Sequence, residues 1–213
     1  MMNKAEWVLI TIILASYAIG IIIYPLMPEL MASHWNASGE VDSYMPKFWG
    51  VFLMPIISTV MVILFHYIPS IDPLKENIKK FRKYFDKFII MITLFLAYIY
   101  ALTLAWSMGL RFDMSIQIIP GLAILFYYTG ILIGHAKQNY FIGIRTPWTL
   151  ANETVWNKTH KKGARLFKTI SIMILIGLLA PDYAFAIMMT LILSATLYLV
   201  IYSYVEYTKI KKH

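Results

Sequence analysis

The sequence predicts an all-α, polytopic integral membrane protein with six transmembrane helices and both termini in the cytoplasm. Three observations predict it. Of 213 residues, 60% are hydrophobic and 14% charged, whereas soluble domains carry roughly a quarter charged residues. The apolar residues gather into six stretches: Glu6–Met27, Phe48–Pro69, Phe88–Met108, Met114–Gly134, Arg165–Pro181 and Tyr183–Val205. Each is near the about 20 residues needed to cross about 30 Å of hydrocarbon. Basic residues, finally, segregate between alternate connections.

The first stretch is longer than a signal-peptide core and lacks a small-residue cleavage site, so it reads as a retained span. Pro25, Pro55, Pro120 and Pro181 lie in or beside spans, where proline shapes a helix that its neighbours accommodate. The fifth stretch has little apolar length. It crosses if Arg165 and Lys168 lie along the helix and send their charges back to the interface.

Charge placement supports that crossing. In a six-span chain Lys4, the connection from Lys75 to Lys87, the connection from Lys137 to Lys168, and Lys209, Lys211 and Lys212 share one side; Lys47 and Arg111 take the other. Basic residues are retained in the cytoplasm, so that side faces inward across the plasma membrane. The formal net charge of +8 is then a topology signal, and no basic module argues for nucleic acid. Between Asp72 and Lys87, Phe81, Phe85 and Phe88 recur beside Lys79, Lys80, Lys83 and Lys87. That pattern predicts an amphipathic helix lying on the inner leaflet.

The chain therefore divides into a two-helix module, 1–70, with an extracytoplasmic loop at 28–47; a cytoplasmic amphipathic linker, 71–87; and a four-helix module, 88–213, with a cytoplasmic motif loop at 135–165. No cysteine is present, which excludes disulfides, thiolate metal sites and cysteine nucleophiles. No cofactor or metal site is predicted. The span interiors hold no Asp, Glu, Lys or Arg, and His66, His135 and Gln117 are their strongest polar groups. Proton-coupled transport, which needs ionisable groups at membrane depth, is disfavoured; passage of a small neutral solute remains as a lesser reading.

Two polar islands interrupt the apolar sequence. In the inner one, Asn139–Gly163, Gly143 and Pro147 bracket Ile144-Arg145-Thr146, predicting a turn that leads into a helix capped by Thr149 or Asn152. Glu153, Trp156, His160 and Gly163 share one face of it. Arg145 has a planar fork suited to a carboxylate or phosphate, and Glu153 is its nearest internal mate. These residues fit an interfacial helix held by an Arg145–Glu153 bridge, a site converging on a polar ligand or a protein, or a hydrolase with Glu153 or His160 as base. No nucleophile elbow or two-histidine metal motif supports the last.

The outer island runs from Tyr24-Pro25-Leu26-Met27-Pro28 through His34-Trp35-Asn36-Ala37-Ser38-Gly39-Glu40-Val41-Asp42 to Lys47. Asn-Ala-Ser-Gly is strong turn chemistry. A structured turn is expected first, recognition of a partner second, and a cation held by His34, Glu40 and Asp42 third.

The string GIRTPWTLANETVWNKTHKKG resembles the signature of the SdpI family, matching at Asn139, Gly143, Ile144, Arg145, Thr146, Pro147, Trp148, Thr149, Asn152, Glu153, Trp156, His160 and Gly163. The P-x-x-P and H-W-N-x-x-G-x-x-D elements before Lys47 resemble the DUF1648-type module of the same bacterial and archaeal proteins. Together the resemblances cover nearly the whole chain. They imply immunity to an antimicrobial peptide toxin, with signal transduction by holding a transcriptional repressor at the membrane. His34, Asn36, Gly39, Glu40 and Asp42 would then meet a secreted toxin, and the inner motif would meet the repressor. The alternative is an integral-membrane enzyme or lipid-headgroup binder using Arg145, Asn152, Glu153 and His160. Lipids are partners under every reading.

Overall fold

The computed structural model describes residues 3–211; Lys212, counted above among the terminal charges, lies outside them. α1 (Lys4–Ile23) starts at a reciprocal cap in which Asn3 Oδ1 accepts the Glu6 amide and Glu6 accepts the Asn3 amide, satisfying two otherwise orphaned donors. A 3-10 turn at Tyr24–Leu26 carries Pro25 at its start and ends the helix. α2 (Lys47–Ile71), α3 (Lys75–Ser107) and α4 (Met114–His135) follow, then a one-turn α5 (Pro147–Ala151), α6 (Glu153–Met173) and α7 (Ala184–Lys211).

Five helical segments are long and apolar enough to cross a membrane: Lys4–Leu26, Lys47–Ile71, Lys75–Ser107, Met114–His135 and Pro181–Lys211. α6 is not among them. Its helix begins at Glu153, twelve residues before the expected Arg165, and its apolar end tightens into a 3-10 segment, Ile174–Leu179. It nevertheless runs antiparallel along α4. Gly134 faces Ala164 near one end, Ala123 clusters with Ile170 and Ile174 in the middle, and Ile119 meets Gly177 at the other.

Two departures from the sequence expectation concern the connections. The stretch 75–87 joins the third span through a kink at Phe81, where the backbone is non-helical. Its aromatic stripe turns inward: Phe81 and Phe85 are buried with Leu9, Leu132, Ile142 and Trp156 in one core cluster. Protein packing thus covers the face that periodicity alone assigned to lipid.

The outer island is not purely a turn. Leu30–Trp35 (β1) pairs antiparallel with Val41–Pro46 (β2), from Leu30 opposite Pro46 to Trp35 opposite Val41, with irregular register around His34. Asn36 Oδ1 closes the turn by accepting the amides of Ser38 at 2.9 Å and Glu40 at 3.0 Å. Gly39 has φ +77° and lies directly on Asp113 at the start of α4, so both the angle and the lack of a side chain are required there. Met31 anchors the hairpin, fully buried beside Gly50 and Val51 of α2.

The contacts sort the polar segments to two ends of the bundle. The hairpin, the α3–α4 connection and the start of α7 share one end, where Trp35 meets Trp106 edge to face at 5.9 Å. The start of α1, the α2–α3 connection, the 137–160 segment and the end of α7 share the other. There Glu6 meets His66 at 3.2 Å and Lys158 meets Glu206 at 2.8 Å.

Candidate functional site

The loop between α4 and α6 folds around Asn139, whose side chain is fully buried. Its Oδ1 accepts the amides of Phe141 at 2.9 Å and Ile142 at 2.6 Å, while Nδ2 donates to the carbonyls of Lys137 at 2.7 Å and Ile142 at 2.8 Å. One side chain thus supplies the backbone partners that no helix or sheet provides here. Gly143 follows at φ +121° with His160 packed against it, so any side chain there meets both strain and an imidazole.

His160 completes the turn. Nδ1 donates to the Trp156 carbonyl at 2.8 Å and Nε2 accepts the Ile144 amide at 3.0 Å, which fixes a neutral tautomer. The ring stacks on Trp156 at 3.9 Å. Trp156, fully buried, donates its Nε1 to the Ala136 carbonyl at 2.9 Å. Burial pushes the His160 imidazole down to about 4.

That depression fixes a pH dependence. Between about pH 6.5 and pH 4 the unfolded chain binds a proton at His160 that the folded protein refuses, so stability falls as pH falls through this window and levels off below it. Folding should weaken by about 3 kcal/mol across the window. Thermal unfolding at several pH values checks this, and His160→Gln should flatten the profile.

Short hydroxyl side chains lock the next segment. Thr146 caps α5 reciprocally with Thr149, and Thr146 Oγ1 donates to Ser203 Oγ of α7 at 3.0 Å. Thr149 Oγ1 donates to the Ile144 carbonyl at 2.8 Å. Pro147 occupies the first turn of α5, the position its missing N–H suits. Asn152 caps α6 through the Val155 amide at 3.1 Å, and Trp148 packs on Tyr204 at 5.1 Å.

The motif therefore separates into an interior and a surface. Asn139, Thr146, Thr149, Trp156, His160 and Gly163 are buried, whereas Arg145, Pro147 and Glu153 are exposed with Lys161 and Lys162. The expected Arg145–Glu153 bridge does not form: Arg145 Nη1 donates to the Tyr140 carbonyl at 2.7 Å. A nearby main-chain acceptor ties the guanidinium to its own turn. Nor do Arg145, Asn152, Glu153 and His160 converge as a proton-handling cluster, because both His160 nitrogens and the Asn152 oxygen are used internally. That arrangement does not favour the enzyme reading.

Four residues that the sequence reading passed over also hold the loop. Asp72, 2% exposed, accepts the Leu74 amide at 2.6 Å and the Tyr140 amide at 2.9 Å. Gln138 Nε2 donates to the carbonyls of Thr149 and Leu150. Ser203 receives Thr146, and Glu206 joins Lys158 and Lys209, each at 2.8 Å. The Glu206 carboxylate raises the affinity of Lys158 for its proton. Asp72-Pro73 carries a turn signal, but its partner lies 68 residues away.

At the hairpin end His34 Nδ1 meets Asp42 Oδ1 at 2.6 Å across the two strands. Asn36 and Gly39 build the turn, and Glu40 is exposed. Among the described residues no three potential ligands gather to hold a metal, so Glu40 does not join the His34–Asp42 pair.

Apolar helices of spanning length, joined by polar segments at both ends, define a multi-pass membrane protein. Residues 11–59 match the domain of unknown function DUF1648, and residues 135–203 match the SdpI/YfhL protein family. The chain is thus similar to DUF1648 in its N-terminal part and to SdpI/YfhL proteins in its C-terminal part. It is 26% identical to Immunity protein SdpI of Bacillus subtilis (strain 168), over 97% of this chain and 98% of that protein. No solved structure matches it.

Proposed function

We propose that this protein is a plasma-membrane immunity protein that protects its cell from an antimicrobial peptide toxin. The carrying observation is the end-to-end similarity to Immunity protein SdpI, which spans both polar islands and every helix between them. In this reading the chain crosses the membrane six times, with the part of α6 from Arg165 onward and the 3-10 segment after it as the fifth crossing. Its antiparallel run along α4 supports this, as does the balance of positive charge. The hairpin faces outward and the motif loop faces the cytoplasm. Residues 1–70 and 88–213 act as two modules, the first sensing and the second relaying.

The exposed inner residues, Arg145 and Glu153 with Lys161 and Lys162, form the surface offered to a cytosolic repressor. The buried motif residues hold that surface in shape. Protection is tested by expressing the chain in Bacillus subtilis that lacks its own SdpI, in co-culture with toxin-producing siblings. Survival is expected, and killing at the rate of empty-vector cells would refute the proposal.

Topology has a separate check. The sequence contains no cysteine, so Ala37→Cys and Lys161→Cys each introduce a sole thiol. A membrane-impermeant maleimide should label the first in intact cells and the second only after permeabilisation. Labelling of both in intact cells would dismiss the two-sided arrangement.

A further inference from the structure

At the end of the bundle that carries the motif loop, the start of α1, the end of α2 and the first turns of α3 enclose an open cleft of about 550 Å³. Lys75, Lys79 and Arg82 of α3 line it together with His66 and Ser70 of α2 and Glu6 of α1. We propose that this cleft holds the phosphate of an anionic phospholipid, phosphatidylglycerol, whose acyl chains run along α2 into the bilayer. The assignment needs neither the immunity reading nor a choice of which end faces the cytoplasm.

Positive charge in the cleft is in surplus and available. Among the described residues Glu6 is the one carboxylate that lines it. Both its oxygens are engaged, Oε2 by the Asn3 amide at 2.8 Å and Oε1 by His66 Nδ1 at 3.2 Å. Lys75 joins no ion pair among the described residues. Lys79 meets Glu76 at 2.6 Å, but both side chains are largely exposed, and such a pair holds its partners weakly. Arg82 gives Nε to Asp86 at 2.6 Å, which leaves the terminal nitrogens of its planar fork for a phosphate. Across 75–87 six basic residues stand against Glu76 and Asp86, so the field around the cleft stays positive.

The setting selects a lipid as the source of that phosphate. Three helices of spanning length begin or end at the cleft, and basic pockets between such helices suit anionic headgroups. Trp7 and Tyr67, next in sequence to the lining residues Glu6 and His66, are exposed, as aromatic side chains are at headgroup depth. One turn further into the span from His66, Ile63 is exposed on the same side of α2, giving an acyl chain an apolar track. A zwitterionic head would bring an ammonium to a site already lined by three cations. Phosphatidylglycerol brings only a phosphate and hydroxyls.

The test is native mass spectrometry of the full chain in detergent, titrated with dioleoylphosphatidylglycerol. One such lipid should be held about tenfold more tightly than dioleoylphosphatidylethanolamine, the scale of one charge-assisted hydrogen bond. Lys75→Gln, Lys79→Gln and Arg82→Gln together should erase that preference. Lys80→Gln, Lys83→Gln and Lys87→Gln together remove the same charge from the same helix outside the cleft and should preserve it. Lys75→Glu, at an exposed position with no ion pair to break, should weaken phosphatidylglycerol about tenfold, and this arm stands even where the triple variant fails to fold.

Equal retention of the two lipids, equal loss in the two triple variants, or unchanged affinity in Lys75→Glu would overturn the assignment. So would displacement of the lipid by an equal concentration of inorganic phosphate, which would make the cleft a site for the free anion.

Discussion

Trp156→Ala should destabilise the protein by about 3–5 kcal/mol, the range for emptying a buried tryptophan site. The indole is fully buried in the cluster with Phe81, Phe85, Leu132 and Ile142. It also supports the His160 ring and satisfies the Ala136 carbonyl where α4 ends. Loss of one side chain thus opens a cavity, frees an imidazole and uncaps a helix. Thermal unfolding of detergent-solubilised protein checks this, and Trp156→Phe should recover part of the loss by refilling the space without restoring the donor. A midpoint shift in Trp156→Ala no larger than that of Lys161→Ala would dismiss a central role for the indole.

Asn139→Asp is expected to be nearly as damaging although it changes only one group. The asparagine gives two donors to carbonyls and takes two amides. An aspartate keeps the acceptor side but turns an oxygen toward the carbonyls of Lys137 and Ile142. A buried acceptor facing acceptors, or a proton taken up to avoid that, costs about 2–4 kcal/mol. Asn139→Asp should therefore unfold more readily at pH 8 than at pH 5 relative to the unmodified protein, because protonation restores one donor. Equal relative stability at the two pH values would count against the donor role of Nδ2.

The two mutants also mark how much of the site was legible. The 3.6-residue spacing put Trp156 and His160 on one face, and Gly143 and Pro147 marked a turn. Whether that face looked toward a ligand or into the protein was not legible, because residues able to bind a partner are equally able to satisfy a buried backbone. The same ambiguity hid the fate of Phe81 and Phe85, since lipid and a neighbouring helix make equal use of an aromatic stripe. Apolar length located α1, α2 and α4 closely. It was least informative at α6, whose first turns are polar and whose apolar part is short.

Other misses have local causes. The hairpin's turn was readable in Asn-Ala-Ser-Gly, but its strands are six residues each and lie in a chain dominated by helical runs. Arg145 and Glu153 have opposite charges on neighbouring turns, yet the guanidinium finds a carbonyl first. Asp72 supports the motif from a distant connection, and no local pattern in one sequence announces such a partner.

α7 has a mechanical consequence. Its 28 residues contain neither proline nor glycine, so about 30 Å of uninterrupted helix joins Phe185, at the hairpin end, to Ser203 and Glu206 at the motif loop. Such a segment behaves as a stiff lever: pivoting by about 4° at one tip carries the other by about 2 Å. A shift of that size exceeds the tolerance of the Thr146–Ser203 hydrogen bond, so the far clasp would have to follow or release.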